Sequence, residues 1–427
     1  MSGRIAAILV AILAVLLVVA ASVQPKSAGS DDAGLGRLVD LPPSRIGSLV
    51  VRSPDGTFVG VSAGSDSSGW LVNWGEGEVT RGAWPASEST RMAGLRLLSS
   101  AKVTPGPAGQ VEGLSHITVV DDAGRVASEF DLGDRPLGGR VSVRMGDDGS
   151  WATVDRRIAD ILRPEALLAW RDTRVLPGMD ASVRRIVIEG AGATVELRRV
   201  GRSWRVVSPI NEPADPQAVQ HLIDRLVVWQ SDGLSDSDLA SPGMTMRLEL
   251  GSDNPNGRMV YTVRADRDPV SVCRVSIAEA TRDGETQFAE ATFDIDSDTS
   301  DIWDIDLSRL LLPTVLSVPA SEVSGIRIGV PSRGLALEVQ RTPDGWSGQS
   351  TEQIRSWLSL LAETPATEVA IGHTPAGDAG EIALLGFGEL DIGSFTLSIE
   401  GDRLWVGRSR VWRAFDLSDD RRASLGL

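Results

Sequence analysis

The sequence predicts an α+β chain: an N-terminal transmembrane helix followed by three strand-rich repeats, each a hairpin and sheet with a packed amphipathic helix. Three observations predict it. An uncharged apolar run opens the chain, from Ile5 to Val23. One strand spacing recurs at three places, and each recurrence leads to a tryptophan and then to apolar residues at helical period. At 427 residues the chain exceeds one ordinary core and is expected to divide into domains.

The opening run is read first. Roughly 20 apolar residues, rising ~1.5 Å each, cross the ~30 Å hydrocarbon layer, and Ile5 to Val23 meets that length. Arg4 lies before it and Asp31 and Asp32 follow, so the N-terminus is expected inside and the bulk of the chain outside the cytoplasm. The competing reading is a cleaved signal peptide with Ala20-Ala21-Ser22 as its cleavage region. Signal h-regions run ~7–15 residues, which favours an uncleaved anchor. The expectation is a single-pass protein of the cytoplasmic membrane, anchored by residues 1–25, with a periplasmic body. Residues 26–43 (Lys26 to Pro43) are small, polar and proline-ended, and read as a tether.

Beyond the tether the repeat begins. Ile46 to Val51, Val183 to Ile188 and Val323 to Ile328 share one spacing. Alternating strands follow at Thr57, Thr194 and Leu335, and alternation at period two places one face on a core. Each hairpin then meets a tryptophan behind a small residue: Trp70, Trp204 and Trp346. These are expected to plug the hairpin–helix junction.

A helix is expected after each tryptophan. Val219, Leu222, Ile223 and Leu226 fall at i, i+3, i+4 and i+7, and Ile354, Trp357, Leu358 and Leu361 repeat the pattern. Met92, Leu95 and Leu98 form a poorer stripe. Such stripes bury one helix face. Asp215 stands before the middle stripe, between Pro213 and Pro216, where a carboxylate caps the first turn and proline suits the first helical position. Ser87 and Ser350 hold the corresponding places, the latter with Gln353 at capping-box spacing. A catalytic acid would not be exchangeable with serine in sister units, whereas a cap would be. Further strands close each unit on a shared tag ending in Asp155, Asp294 and Asp416, expected to be turn or capping residues. The units are placed at 44–180, 181–320 and 321–427.

Chemistry is sparse. The net charge of −16 argues against nucleic acid. The single cysteine, Cys273, excludes an intramolecular disulfide, and His116, His221 and His373 lie too far apart in sequence for a short metal-ligand spacing. There is no phosphate-binding loop ending in Gly-Lys-Ser/Thr and no Gly-x-Ser-x-Gly elbow. The expectation is no catalytic, cofactor or metal residues. Twelve tryptophans against one tyrosine leave a glycan-binding alternative, with Trp74, Trp84, Trp405 and Trp412 as the stacking candidates. A hydrolase would need one histidine to meet a carboxylate and a hydroxyl in a cleft.

The run Trp204, Val206, Ser208, Pro209, Pro213, Ala214, Asp215, Val219, Leu222, Ile223, Leu226 resembles the bacterial membrane-anchored domain-of-unknown-function family 4340. The resemblance covers Ala181 to about Asp238 and is thin elsewhere. It implies a membrane span, repeated strand-rich modules and a place beside ABC transporter components of the gliding-motility type. No catalytic residues come with it. The expected function is a non-catalytic, membrane-anchored extracytoplasmic accessory or scaffold for an ABC-type transport complex, with permease or ATPase subunits as protein partners.

Overall fold

The computed structural model describes residues 36–64, 69–106, 114–146, 149–190, 194–235, 239, 243–250, 258–266, 271–281, 284–296, 302–303, 305–343, 345–347, 351–388 and 390–427. Strands alternate buried and exposed side chains nearly throughout, as in Ile46–Arg52 and Met244–Leu250, so each sheet has one dry face.

Unit 1 holds β1 (Gly36–Arg37), β2 (Ile46–Arg52), β3 (Thr57–Ala63), β4 (Trp70–Glu76), β5 (Val79–Pro85), α1 (Glu88–Ser100), β6 (Lys102–Pro105), β7 (Ser115–Asp121), β8 (Val126–Leu137), β9 (Arg140–Met145), β10 (Ser150–Asp155), α2 (Arg156–Ile161) and α3 (Pro164–Leu168). Unit 2 holds β11 (Val183–Glu189), β12 (Thr194–Val200), β13 (Ser203–Ser208), β14 (Glu212–Pro213), α4 (Pro216–Val227), β15 (Gly233–Leu234), β16 (Met244–Leu250), β17 (Arg258–Ala265), β18 (Val272–Thr281), β19 (Gly284–Asp294) and α5 (Leu307–Leu310). Unit 3 holds β20 (Val323–Val330), β21 (Leu335–Thr342), β22 (Gly345–Trp346), α6 (Thr351–Ala362), β23 (Glu368–Ile371), β24 (Asp378–Gly386), β25 (Asp391–Glu400), β26 (Arg403–Arg408), β27 (Val411–Asp416) and α7 (Asp419–Leu425).

One antiparallel order occurs three times. It reads β4-β3-β2-β7-β8-β9-β10 in unit 1, β13-β12-β11-β16-β17-β18-β19 in unit 2 and β22-β21-β20-β24-β25-β26-β27 in unit 3. The strand after each main helix pairs with the last strand of its unit: β6 with β10, β15 with β19 and β23 with β27. The helices bury the stripes that their sequences carry. Val219, Leu222, Ile223 and Leu226 are buried on α4, and Ile354, Trp357, Leu358 and Leu361 on α6. Burying four such side chains is worth ~1.5–3 kcal/mol each, far more than helix propensity supplies.

Two expectations are corrected. The α+β class gives way to a mainly antiparallel-sheet architecture, with 53% strand against 20% helix among the described residues. The reason is that the later strands of every unit are full members of its sheet, while among the described residues each unit has one helix of more than ten residues. Nor are the units three separate helix-packed modules. Units 1 and 2 share one 19-stranded sheet, because β5 pairs with β19 at Ala83 and Glu290.

The single-pass membrane placement is the second correction, and with it the transmembrane helix, the signal-anchor and the periplasmic location. Among the described residues no helix is long and apolar enough to cross a membrane. The longest, α1, has 13 residues, about 20 Å of helix against a ~30 Å layer. Ile5–Val23, on which the expectation rested, lies outside the described residues.

The structure also differs at the tether. Gly36 and Arg37 pair with β6, and Leu38 and Val39 sit in the core of unit 1 at 2% and 0% exposure. β1 thus occupies the end of the unit 1 sheet, corresponding to the end at which unit 2 receives β5.

Candidate functional site

The residues singled out from sequence fall into separate places. Asp215 is the N-cap of α4, its carboxylate accepting from the Gln217 N–H at 2.8 Å, and Pro216 occupies the first turn. Ser87 holds the N-cap position of α1, but its hydroxyl makes no cap bond and engages the Ser89 and Thr90 hydroxyls instead, each at 3.2 Å. Ser350 lies outside the described residues. Its expected box partner, Gln353, donates to the Leu425 carbonyl of α7 (2.8 Å) rather than to a cap. Pro213 lies in β14 beside β13.

The three junction tryptophans are unequal. Trp204 is buried in the unit 2 core. Trp70 is half-buried with the Arg91 guanidinium 4.5 Å over its ring. Trp346 is half-buried and lines an open groove of about 350 Å³ with Ala320, Arg341, Arg355, Leu358 and Glu363. Of the four sugar-stacking candidates, Trp84, Trp405 and Trp412 are 0%, 4% and 9% exposed, and Trp74 is half-buried between the first two cores. No pair of these offers coplanar exposed rings.

His116 sits in a cluster of four charged or titratable groups. It stands on β7 opposite Asp131 of β8. Nδ1 lies 2.8 Å from Asp131 Oδ1 and Nε2 lies 2.9 Å from Glu129 Oε1, while Arg144 Nε donates to Asp131 Oδ2 at 2.8 Å. The hydrogen bond to Asp131 raises the imidazole above its ordinary pKa; partial burial opposes this and Glu129 adds to it. Burial pushes the Asp131 carboxyl up, but the bonds from His116 and Arg144 outweigh it and hold it below the usual range. A general base needs a free lone pair facing the proton it takes. Here both ring nitrogens face carboxylates on an open sheet face, and no hydroxyl contacts the ring among the described residues. The arrangement is a cross-strand ion-pair ladder.

The remaining groups are dispersed. His221 is exposed on α4. His373 stacks on Trp405 with ring centroids 4.3 Å apart, its Nε2 buried without a partner among the described residues. Cys273 is fully buried, and burial pushes its thiol far up, so it is a core residue rather than a nucleophile. Asp155, Asp294 and Asp416 end β10, β19 and β27 in three different units; Asp155 caps α2 through the Arg157 N–H at 2.8 Å. Among the described residues no group of three His, Cys, Asp or Glu side chains is placed to hold a metal.

What sequence reasoning missed are the joints between units. Trp84 of β5 belongs to the unit 2 core, meeting Phe293 edge-on at 4.7 Å and 72°. At the second joint, Arg413 of β27 donates through Nε to the Leu312 carbonyl (2.9 Å), Arg408 reaches the buried Glu212 of β14 at 3.6 Å, and Val411 enters the unit 2 core. Burial pulls the Arg413 guanidinium down, opposed by the Glu212 charge. Alternation marks Trp84 as facing inward but carries no signal of whose core it faces.

No family model and no curated protein matches the chain. Among solved structures the chain is similar to a DNA polymerase sliding clamp from Pseudomonas aeruginosa with ligand, at 10% identity over 88% of this chain and 92% of that one, with a TM-score of 0.17. Another sliding-clamp structure from that organism gives 11% identity over 89% and 93%, with a TM-score of 0.16. The DNA polymerase III subunit beta from the same source gives 10% over 89% and 94%, also at 0.16. Scores this low carry no argument about fold or function.

Proposed function

We propose that the chain is a non-catalytic scaffold that binds protein partners through its sheet faces and edges. The observation that supports this reading most directly is the serial jointing of the three units. Trp84 with Phe293, and Arg413 and Arg408 with Leu312 and Glu212, lock one unit to the next. Such an array builds continuous surface rather than a cleft. The titratable cluster around His116 has its groups committed to one another. The partners implied by the family resemblance are permease and ATPase subunits of an ABC-type transport complex.

Affinity purification of the full chain after mild crosslinking in its native cell tests this. Stoichiometric recovery of such subunits supports the reading, and recovery of the chain alone counts against it. The glycan alternative is not pursued, because Trp84, Trp405 and Trp412 are buried.

A further inference from the structure

All three units carry the same β-bulge near one end of their central strand pair. The extra residue is Gly47 in β2, Arg184 in β11 and Ser324 in β20. A bulge bends its strand and re-aims a side chain. The paired residues beside it are Ser48, Ser62 and Val120 in unit 1, and Gly325, Gln340 and Leu385 in unit 3. Unit 2 has Arg185, Arg198 and Glu249 there. The fold builds this corner twice without a charge, so the arginines of unit 2 are not needed to form it.

These arginines surround a cleft. Arg184, Arg185, Arg198, Arg199 and Arg258 line a space of about 340 Å³ together with Glu249, so that β11, β12, β16 and β17 all contribute to it. Two carboxylates tie part of the positive charge down. Glu196 Oε1 accepts from Arg185 Nε at 2.9 Å and from Arg198 Nη2 at 2.7 Å, and Glu249 Oε1 accepts from Arg185 Nη1 at 2.7 Å. Arg199 reaches only the Ala181 carbonyl, at 3.5 Å, and Arg258 makes no hydrogen bond or ion pair among the described residues. Arg184 has a partner of its own. The other four guanidiniums face two carboxylates, which leaves two positive charges uncompensated in a chain whose net charge is −16.

We propose that this cleft binds a phosphate group, as the free ion or as the end of a small ester. This goes beyond the scaffold reading, which needs no small ligand. The charge matches, since a phosphate group carries about −1.5 to −2 near neutral pH. So does the shape. A carboxylate ligand has two oxygens and one charge, which a single guanidinium fork satisfies, whereas the oxygens of a phosphate reach several forks at once. Glu249 separates phosphate from sulfate. Both contacts of its carboxylate use Oε1, so Oε2 is left to accept from a protonated phosphate oxygen, a donor that sulfate lacks near neutral pH. A space of this size takes a small molecule rather than the face of a macromolecule.

The test titrates the full chain by isothermal calorimetry with inorganic phosphate, phenyl phosphate and sulfate, at about pH 6, near the second pKa of a phosphate group. The expected result is saturable binding of a phosphate with a Kd below about 1 mM, and sulfate weaker by about tenfold or more. Whichever of the two phosphates binds more tightly tells the free ion from the ester. Arg258→Gln and Arg199→Gln each remove a cleft guanidinium and are expected to weaken binding about tenfold or more, with melting temperatures unchanged because both side chains are exposed. Arg205→Gln makes the same charge change on β13, where Arg205 bonds Asn211 outside the cleft, and is expected to leave binding intact. The proposal is overturned if neither phosphate binds, if sulfate binds equally, or if Arg205→Gln weakens binding as much as Arg258→Gln. Binding of long-chain polyphosphate alone would also overturn it, while leaving the scaffold reading standing.

Discussion

Truncating Trp84 is expected to loosen unit 2 although the residue is encoded in unit 1. The indole is 0% exposed and packs edge-on against Phe293. Burying a ring of that size removes ~150–250 Å² from water, which at ~25 cal/mol per Å² is about 4–6 kcal/mol. The edge contact adds ~1 kcal/mol. Trp84 Nε1 is buried without a partner among the described residues, and an unpaired donor costs ~1–3 kcal/mol. The net loss expected for Trp84→Ala is therefore about 3–5 kcal/mol, the range found for such truncations. Trp84→Phe keeps an aromatic ring against Phe293, deletes the orphan N–H and leaves a smaller cavity, and is expected to cost about 1–2 kcal/mol. A chain of three jointed units need not unfold in one step, so site-resolved hydrogen exchange is the assay. Amides of β18 and β19 are expected to exchange roughly a hundredfold to a few thousandfold faster in Trp84→Ala, with unit 3 unchanged. If β2 and β7 lose protection while β19 keeps it, the assignment of Trp84 to the neighbouring core is wrong.

Other predictions concern single contacts. Asp215→Ala is expected to cost about 1 kcal/mol in unit 2 by chemical denaturation, and Asp215→Ser only a few tenths, because the cap bond to Gln217 survives. Equal losses in both variants would mean that the carboxylate is more than a cap. His116 has a raised folded pKa, so its ion pairs stabilise fully below the ordinary value near 6.5 and fade as pH rises through the folded value. His116→Gln is thus expected to narrow the stability gap between pH 5.5 and pH 8.5, and an NMR titration midpoint at or below 6.5 would contradict this. Gly94→Ala is expected to be clearly destabilising, since an added Cβ would lie 2.0 Å from the Trp170 ring. A melting temperature equal to that of the parent chain would show that the α1–Trp170 contact is not made.

Local features were legible in the sequence to the extent that they are local. The period of Val219, Leu222, Ile223 and Leu226 is a property of neighbouring residues, and all four are buried. The Asp215 cap depends on the three residues that follow it. The balance of sheet over helix was misjudged, because strands such as β17 and β18 alternate no more strongly than many exposed hairpins, and their membership of one sheet depends on distant pairings. The joints were invisible for the same reason. Nothing near Trp84 names Phe293 as its neighbour, and Arg413 looks like any surface arginine until Leu312 and Glu212 are brought beside it. Residues 36–39 were misread because small and polar flanks hide the two apolar residues, Leu38 and Val39, that matter.

The β1 segment gives the array a direction. Leu38 and Val39 finish the first unit with its own chain, at the end where the second unit receives β5 from its neighbour. Lengthening such a protein by duplicating an internal unit would preserve both ends. A unit spliced ahead of residue 36 would have to displace that stopper before it could join the row, so growth by duplication is easiest away from the start of the chain.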